Sequence, residues 1–467
     1  MTARLVVAAP GSGSGKTTLT AGLIGALRER GLSVQPFKCG PDYIDPGYHT
    51  LAAGRVCRNL DTWLLPPDQV RMLFAQSSAG ADLALIEGVM GLFDGHGASD
   101  DTGSTADVAR LLDAPVVLVI DARGMARSAA ALVRGFQQFD PRVRIAGVVL
   151  NRVGSARHAE LCTTAIADCT GLPTFGYLER REDLCLPERH LGLITTAEGG
   201  PWTLVVAEVA RALAQTCDLD ALVTVARSAP PLVADLSAAP ATVRKGLRPV
   251  IAVAEDAAFS FMYPEMAELL WEAGGEVVPF SPLTAATLPP GTAGIILSGG
   301  FPELYAARLS GNTRLHAAIR SAHDVGLPIY AECGGLMYLT EELVDQAGAC
   351  WPMVGLLPGR SVMTARVTLG YRTVRAVHAG PLLPEGATVR GHEFHYSRWE
   401  RPSCTTGAAD LPPAYDVLPR DVGEAHPEGA RVGSLLASYV HLHWLVCPEM
   451  AARFVSACRQ TAGRMHG

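Results

Sequence analysis

Short apolar runs alternate with longer amphipathic segments from the start of the chain. The run "RLVVAAP" reads as a buried strand, and over Lys16–Arg30 the apolar residues recur at three and four, which predicts a helix. "LALIE", "APVVLVID" and "RIAGVVLN" are further β-branched runs separated by helix-length segments. Buried strands spaced in this way predict a parallel sheet with helices on both faces. The pattern lapses over Ser228–Lys245, "SAPPLVADLSAAPATVRK", rich in Ala, Pro and Ser, and a linker is placed at 236–246. Alternation resumes at "RPVIAVAED". Pro264 stands at the start of the helical pattern "YPEMAELLWEAGG", Gly274 near its end, and "GIILSGG" and "LPIYAEC" read as strands that deliver loops. No internal repeat relates the halves. The expected fold class is α/β, with two doubly wound domains at 1–235 and 247–467.

Composition changes this picture little. A length of 467 residues suggests about three domains as a prior, which the pattern narrows to two. With 48% hydrophobic and 18% charged residues, the chain is ordinary globular material. A net charge of −7 works against broad attraction to nucleic acid or an anionic membrane, so neither is expected as a partner. The 11 cysteines include no C-x-x-C pair, which fits free thiols in a reducing compartment rather than a disulfide framework or structural zinc. "APVVLVI", between Asp113 and Asp121, is far too short to span a bilayer, and "MTARLVVAAPGSG" runs straight into a loop, unlike a signal peptide. A cytoplasmic location is expected.

Two stretches carry candidate chemistry. The first, "VVAAPGSGSGKTT", sets a glycine-rich loop between a strand and a helix, where backbone N–H groups and the helix's positive end face phosphate oxygens. Gly13, Ser14, Gly15, Lys16, Thr17 and Thr18 are the candidate ATP-binding residues, with Lys16 on the β/γ-phosphates and Thr17 a Mg²⁺ ligand. Pro10 stands where the strict G-x-x-x-x-G-K-[ST] pattern has glycine, and the dinucleotide pattern G-x-G-x-x-G fails because its last position is Lys16. Acids at predicted strand ends extend this site: Asp42 and Asp45 in "FKCGPDYIDPGYH", and Glu87 in "LALIEGVMGLFDG". Thr17, Asp42 and Glu87 form the candidate metal set. Lys38, Asp42 and Asp45 are candidates for positioning the substrate or the transferred phosphoryl group.

The second stretch, "PIYAECGGLMYLT", ends an apolar run at Cys333 and opens a helical pattern. A thiol at such a bend gains thiolate character from the helix N-terminus, and the strand–turn–helix setting suits a nucleophile. The N–H of Gly334, with Gly299 and Gly300 from "LSGGFPE", could form an oxyanion site. The base should be a distant histidine, and "LLASYVHLHWL" offers His441 and His443. In "RGHEFHYSR", period two puts His392 and Phe394 on one strand face and Glu393 with His395 on the other. A metal site built from these histidines is the weaker reading, because no tight ligand triplet is visible.

With these residues in place, the chain resembles the a,c-diamide synthases of corrinoid biosynthesis, which act on cobyrinate or hydrogenobyrinate. The resemblance is carried in order by "APGSGSGKTT", "FKCGPDYIDPGYH", "RNLDTWLL", "IEGVMGLFDG", "LPERHLGL", "SGGFPE", "AECGGLMYL", "GHEFHYS" and "SYVHLHW". The first half also looks like the dethiobiotin synthetase group of P-loop proteins, and the second like a class I glutamine amidotransferase domain of the cobyric acid synthase type. The resemblance implies ATP and Mg²⁺ as cofactors, and glutamine and cobyrinic or hydrogenobyrinic acid as substrates. It also implies Cys333 as nucleophile, His441 as base, and Asn151 in "VVLNRVG" as a purine contact. Class I amidotransferases usually place an orienting glutamate two residues after the histidine. His443 stands there, so a Cys–His pair without an acid is expected, with both imidazoles on one face. Alternatives are a sirohydrochlorin a,c-diamide synthase, a cobyric acid synthase, or a P-loop switch ATPase with a dead amidotransferase domain. Gly11, standing where partitioning ATPases carry a second lysine, argues against the last. Assembly into a homodimer is left open.

Overall fold

The computed structural model describes residues 2–184, 186–189, 192–232, 248–401, 411–420 and 423–466. The linker expected at 236–246 lies outside them, as do His190 and Leu191 of "LPERHLGL". The chain divides into two compact units, 1–238 and 239–467.

In the first unit, seven strands form one parallel sheet. They are β1 (Ala3–Ala8), β2 (Val34–Cys39), β3 (Arg58–Leu60), β4 (Leu83–Glu87), β5 (Val116–Asp121), β6 (Ile145–Val153) and β7 (Thr174–Glu179). The order is β3-β2-β4-β1-β5-β6-β7. β1 and β4 are almost wholly buried, which explains why they read as continuous apolar runs rather than as alternating ones. The order turns around at β1, which is flanked by β4 and β5, and ligands of open α/β sheets bind beyond the strand ends at such a reversal. The helix α1 (Lys16–Glu29) follows β1, and α2 (Asp45–Ala53) follows β2.

The second unit is built on a six-stranded sheet ordered Glu276–Phe280, Val250–Ala254, Thr292–Leu297, Ile329–Glu332, Leu435–Ser438 and Ala430–Val432. The first five strands run parallel and the last antiparallel. This doubly wound core matches the sequence pattern. The unit also holds a second sheet that the pattern did not show, centred on the antiparallel pair Leu357–Ala376 and Thr388–Glu400. Leu357–Ala376 is mostly half-exposed, so it lacks the continuous apolar run that marked the other strands. Thr340–Val344 joins this sheet on one side and the two-residue strand His441–Leu442 on the other. Among the described residues, no helix is long and apolar enough to cross a membrane. The nine cysteines described are all free thiols.

Candidate active sites

The loop after β1 enters α1 through Gly15, whose φ of 83° is a left-handed conformation that suits glycine. A Cβ there would also run into the Asn151 amide at the end of β6. That amide donates to the Ser14 carbonyl at 2.8 Å, while the Asn151 Oδ1 accepts from the Arg152 N–H at 2.9 Å. Asn151 thus ties the phosphate loop to β6. Arg152 joins in, donating to the Gly13 carbonyl at 2.6 Å and to Asp121 at 2.8 Å. The Lys16 ammonium is buried and donates to the carbonyls of Gly11 at 3.1 Å and Met90 at 2.6 Å. Burial pulls it down to about 8, partly offset by Glu87. Gly13 is exposed, and Ser14, Thr17 and Thr18 are half-buried at the same loop–helix junction.

Three acids and a lysine close this site. The Thr17 hydroxyl donates to Glu87 Oε1 at 2.9 Å and lies 3.1 Å from Asp45 Oδ2. Lys38 Nζ sits 2.5 Å from Asp45 Oδ2, 3.0 Å from Glu87 Oε1 and 3.5 Å from Asp42 Oδ2. Burial opposes the Lys38 charge, but Asp45, Glu87 and Asp42 hold its pKa well above the usual lysine range. Burial would raise Glu87, yet Lys38 and His49 bring it down to about 2. The expected metal set of Thr17, Asp42 and Glu87 needs correction: Asp45, not Asp42, faces Thr17. Asp42 Oδ1 is taken up locally, accepting from the Ile44 and Asp45 N–H groups at 2.8 and 3.0 Å where α2 begins. Thr17, Asp45 and Glu87 offer oxygen donors only, the set a hard cation such as Mg²⁺ prefers.

In the second unit, Cys333 ends the strand Ile329–Glu332 and begins the short helix Gly334–Leu339. Its φ of 47° and ψ of −102° are strained for a residue with a side chain, as in other strand–turn–helix nucleophiles. The Cys333 N–H is fixed by the Ser438 carbonyl of the adjacent strand at 2.7 Å. Burial disfavours charge on the ring of His441, but the neighbouring Cys333 helps to raise its pKa. Gly299 makes room for this arrangement, because a Cβ there would strike His441 Cε1. A Cβ at Gly334 would come within 3.0 Å of the Gly300 N, so these two positions lie side by side beside the thiol turn.

The expectation that no acid attends the base is overturned. Glu332 Oε2 lies 3.4 Å from His441 Nδ1. The two late histidines also do not share one environment. His441 stacks on His392 with ring centroids 5.1 Å apart, whereas His443 stacks on Tyr263 at 4.3 Å and lies 3.8 Å from Glu265. Strand pairing covers only His441–Leu442, and the chain leaves it for a tight turn at Trp444–Val446. Glu393 and His395 do lie on a common face, 3.8 Å apart, with Glu393 held by Arg372 at 2.5 Å. Among the described residues, no cluster of three or more His, Cys, Asp or Glu side chains has a metal-binding arrangement.

Comparison with known proteins agrees with this two-site layout. Residues 5–194 match the CobQ/CobB/MinD/ParA nucleotide binding domain, and residues 250–447 the CobB/CobQ-like glutamine amidotransferase domain. Similar relatives include the cobyrinate a,c-diamide synthase of Dehalococcoides mccartyi strain CBDB1, 44% identical, with 97% of each chain covered. The hydrogenobyrinate a,c-diamide synthase of Streptomyces coelicolor is 46% identical over 98% of this chain and 97% of its own. That of Thermobifida fusca is 47% identical over 97% and 96%. The chain belongs to the cobyrinate/hydrogenobyrinate a,c-diamide synthase family.

Within this family member, sequence reasoning passed over several residues at the sites. His49 is buried with its Nε2 against Glu87 Oε2. It follows Asp45 by four residues on α2, a spacing that places both on one helix face and was visible in "DPGYH". Arg152 carried no signal beyond its neighbour Asn151, since its role depends on a φ of 56°. Glu332 was visible as a charged residue closing an apolar strand, a position that asks for a partner.

Proposed function

We propose that this protein converts the a and c acetate carboxylates of cobyrinic or hydrogenobyrinic acid to amides, using ATP and glutamine. The observation that carries this reading is the pairing of two complementary sites in one chain: an acid-lined phosphate loop and a Cys–His pair at a strained turn. In the second unit, the Cys333 thiolate attacks the side-chain amide carbon of glutamine. His441 delivers a proton to the departing nitrogen, so ammonia leaves and a glutamyl thioester remains. Water then hydrolyses the thioester to glutamate and frees the thiol. The N–H groups of Gly300 and Gly334, two positions that lie side by side, would receive the oxyanion, while Gly299 keeps space for the base.

In the first unit, a ring carboxylate attacks the γ-phosphorus of ATP, forming an acyl phosphate and releasing ADP. Ammonia then displaces phosphate at the acyl carbon to give the amide. Activation is needed because a carboxylate is a poor acyl donor, whereas phosphate is a good leaving group. Lys16 and the loop N–H groups stabilise negative charge on the transferred phosphoryl group, and Lys38, held between Asp45 and Glu87, helps position the incoming carboxylate. Thr17, Asp45 and Glu87 would hold Mg²⁺, which when bound offsets charge on the β- and γ-phosphates. His49 keeps Glu87 in place. Such an enzyme is a ligase forming C–N bonds. The Asn151 amide is well placed to hold the loop, and a purine contact would use its second N–H.

The reading is tested by supplying the purified protein with ATP, Mg²⁺ and glutamine and either the cobalt-containing or the cobalt-free ring acid. Mass spectrometry should count two amides added to at least one of them. Addition to neither ring, or at other side chains, would favour a related tetrapyrrole amidase.

The two late histidines give a second test. His441→Ala should cut glutaminase turnover by at least about 10²-fold, the usual scale for losing a general base. His443→Ala should cost clearly less, because its ring packs on Tyr263 rather than on the thiol. A larger defect at His443 would mean that the base has been misassigned.

A further inference from the structure

We propose that Glu332, the residue directly before the nucleophile, is the positioning residue of the glutaminase site and holds the His441 ring toward Cys333. The inference rests on the reading of Cys333 and His441 as nucleophile and base. Amidotransferases of this class usually take the orienting acid from two residues after the histidine. Here that position is His443, whose ring faces Tyr263 and Glu265 instead. The carboxylate comes from the nucleophile's own strand.

Glu332 is buried at 2% exposure, and both of its oxygens are engaged. Oε1 accepts from the Tyr330 hydroxyl and, at 3.0 Å, from the Leu442 N–H. Those anchors turn Oε2 toward His441 Nδ1 at 3.4 Å. Glu332 belongs to the six-stranded sheet and Leu442 to the second sheet, so one side chain fixes the nucleophile's strand against the base's strand. A buried carboxylate is costly unless paired, and the imidazolium provides the opposite charge.

The other groups around the base are consistent with this role. From the nucleophile's strand come Cys333 and Glu332. From the loop after Thr292–Leu297 comes the Gly299 backbone, and from Thr388–Glu400 comes His392, stacked on the ring. Burial, with His441 and His443 nearby, holds His392 well below the usual imidazole range, so it is neutral. Tyr330 and Tyr415, both near Glu332, are pushed well above the usual phenol range by burial and by that carboxylate, so they are neutral too. His443 sits on the base's own segment and pairs with Glu265. Burial disfavours the His441 imidazolium, yet Cys333 and Glu332 on either side push it up to about 10.

The test is Glu332→Gln, which keeps the size and the accepting oxygen but removes the charge. The imidazolium is held protonated by the carboxylate, so without it the proton leaves at lower pH. The alkaline limb of the glutaminase pH profile should therefore move down by at least about one unit. Turnover should fall by about tenfold or more, toward the scale of a lost proton-transfer group. Alkylation of Cys333 by iodoacetamide, followed by peptide mass spectrometry, should show without glutamine present that the reactive thiolate forms at higher pH in the variant, because the cation beside it is less stable. Glu332→Asp should return the limb part of the way. If Glu332→Gln fails to fold, Tyr330→Phe serves instead, because it removes an anchor and keeps the charge: turnover should fall while the limb stays in place. An unshifted limb in Glu332→Gln, with turnover kept or lost, would overturn the proposal and leave Glu332 a structural tie. So would an unaltered turnover in Tyr330→Phe. Glutaminase surviving in Cys333→Ala would instead sink the underlying reading.

Discussion

A Cys333→Ala chain is expected to lose glutamine-driven amidation altogether, while amidation driven by added ammonium salts continues. In the proposed mechanism the thiol serves only to release ammonia from glutamine, and alanine provides no nucleophile for that step. The backbone should tolerate the change. Cys333 already sits at a φ of 47°, and alanine meets the same strain without adding volume to a position that is 3% exposed. The same mechanism assigns carboxylate activation to the first unit, where Lys16, Lys38 and the acids around Thr17 gather at the ends of β1, β2 and β4. The comparison is made by counting amides formed with each nitrogen source at matched ATP and ring substrate. Equal loss from both sources would mean that the thiol does more than supply ammonia, and the division of labour between the units would fail.

How much of this was legible in the sequence depends on whether a residue's surroundings are local. β1, β4 and β5 were legible because strands buried on both faces must be continuously apolar. Lys16 and Thr17 follow from the loop they occupy, and Cys333 from the turn it makes. The long pair Leu357–Ala376 and Thr388–Glu400 was not read as a sheet, since its half-exposed strands mix polar and apolar residues and its register shifts between Met363 and Thr368. The choice between Asp42 and Asp45 was equally hidden. Both follow β2 within a few residues, and only the start of α2 at Asp45 decides which carboxylate serves backbone N–H groups and which faces Thr17. Glu332 and His441 are 109 positions apart in the chain, and their contact depends on a crossing of two sheets that no local pattern encodes.

Lys16→Met should stop amidation from either nitrogen source, the counterpart of the cysteine variant. Methionine fills a similar volume in this buried position but carries no charge and donates no hydrogen bond. The ammonium now bridges the Gly11 and Met90 carbonyls, which places it between the phosphate loop and the segment following β4. With nucleotide bound, that location suits contact with the β- and γ-phosphates. Charge accumulates on the phosphoryl group as it leaves ADP for the ring carboxylate, and a fixed cation at that point acts on the transition state more than on bound ATP. Removing it should lower the rate with ammonia by at least about 10²-fold, the scale seen when one such donor is lost. Ammonia supplied in excess cannot compensate, because without the acyl phosphate it has no leaving group to displace. Lys38 is a poor substitute: Asp45 and Glu87 already engage its charge at 2.5 and 3.0 Å. A Lys16→Met chain that amidates with ammonium salts at the wild-type rate would place Lys16 outside the phosphoryl site.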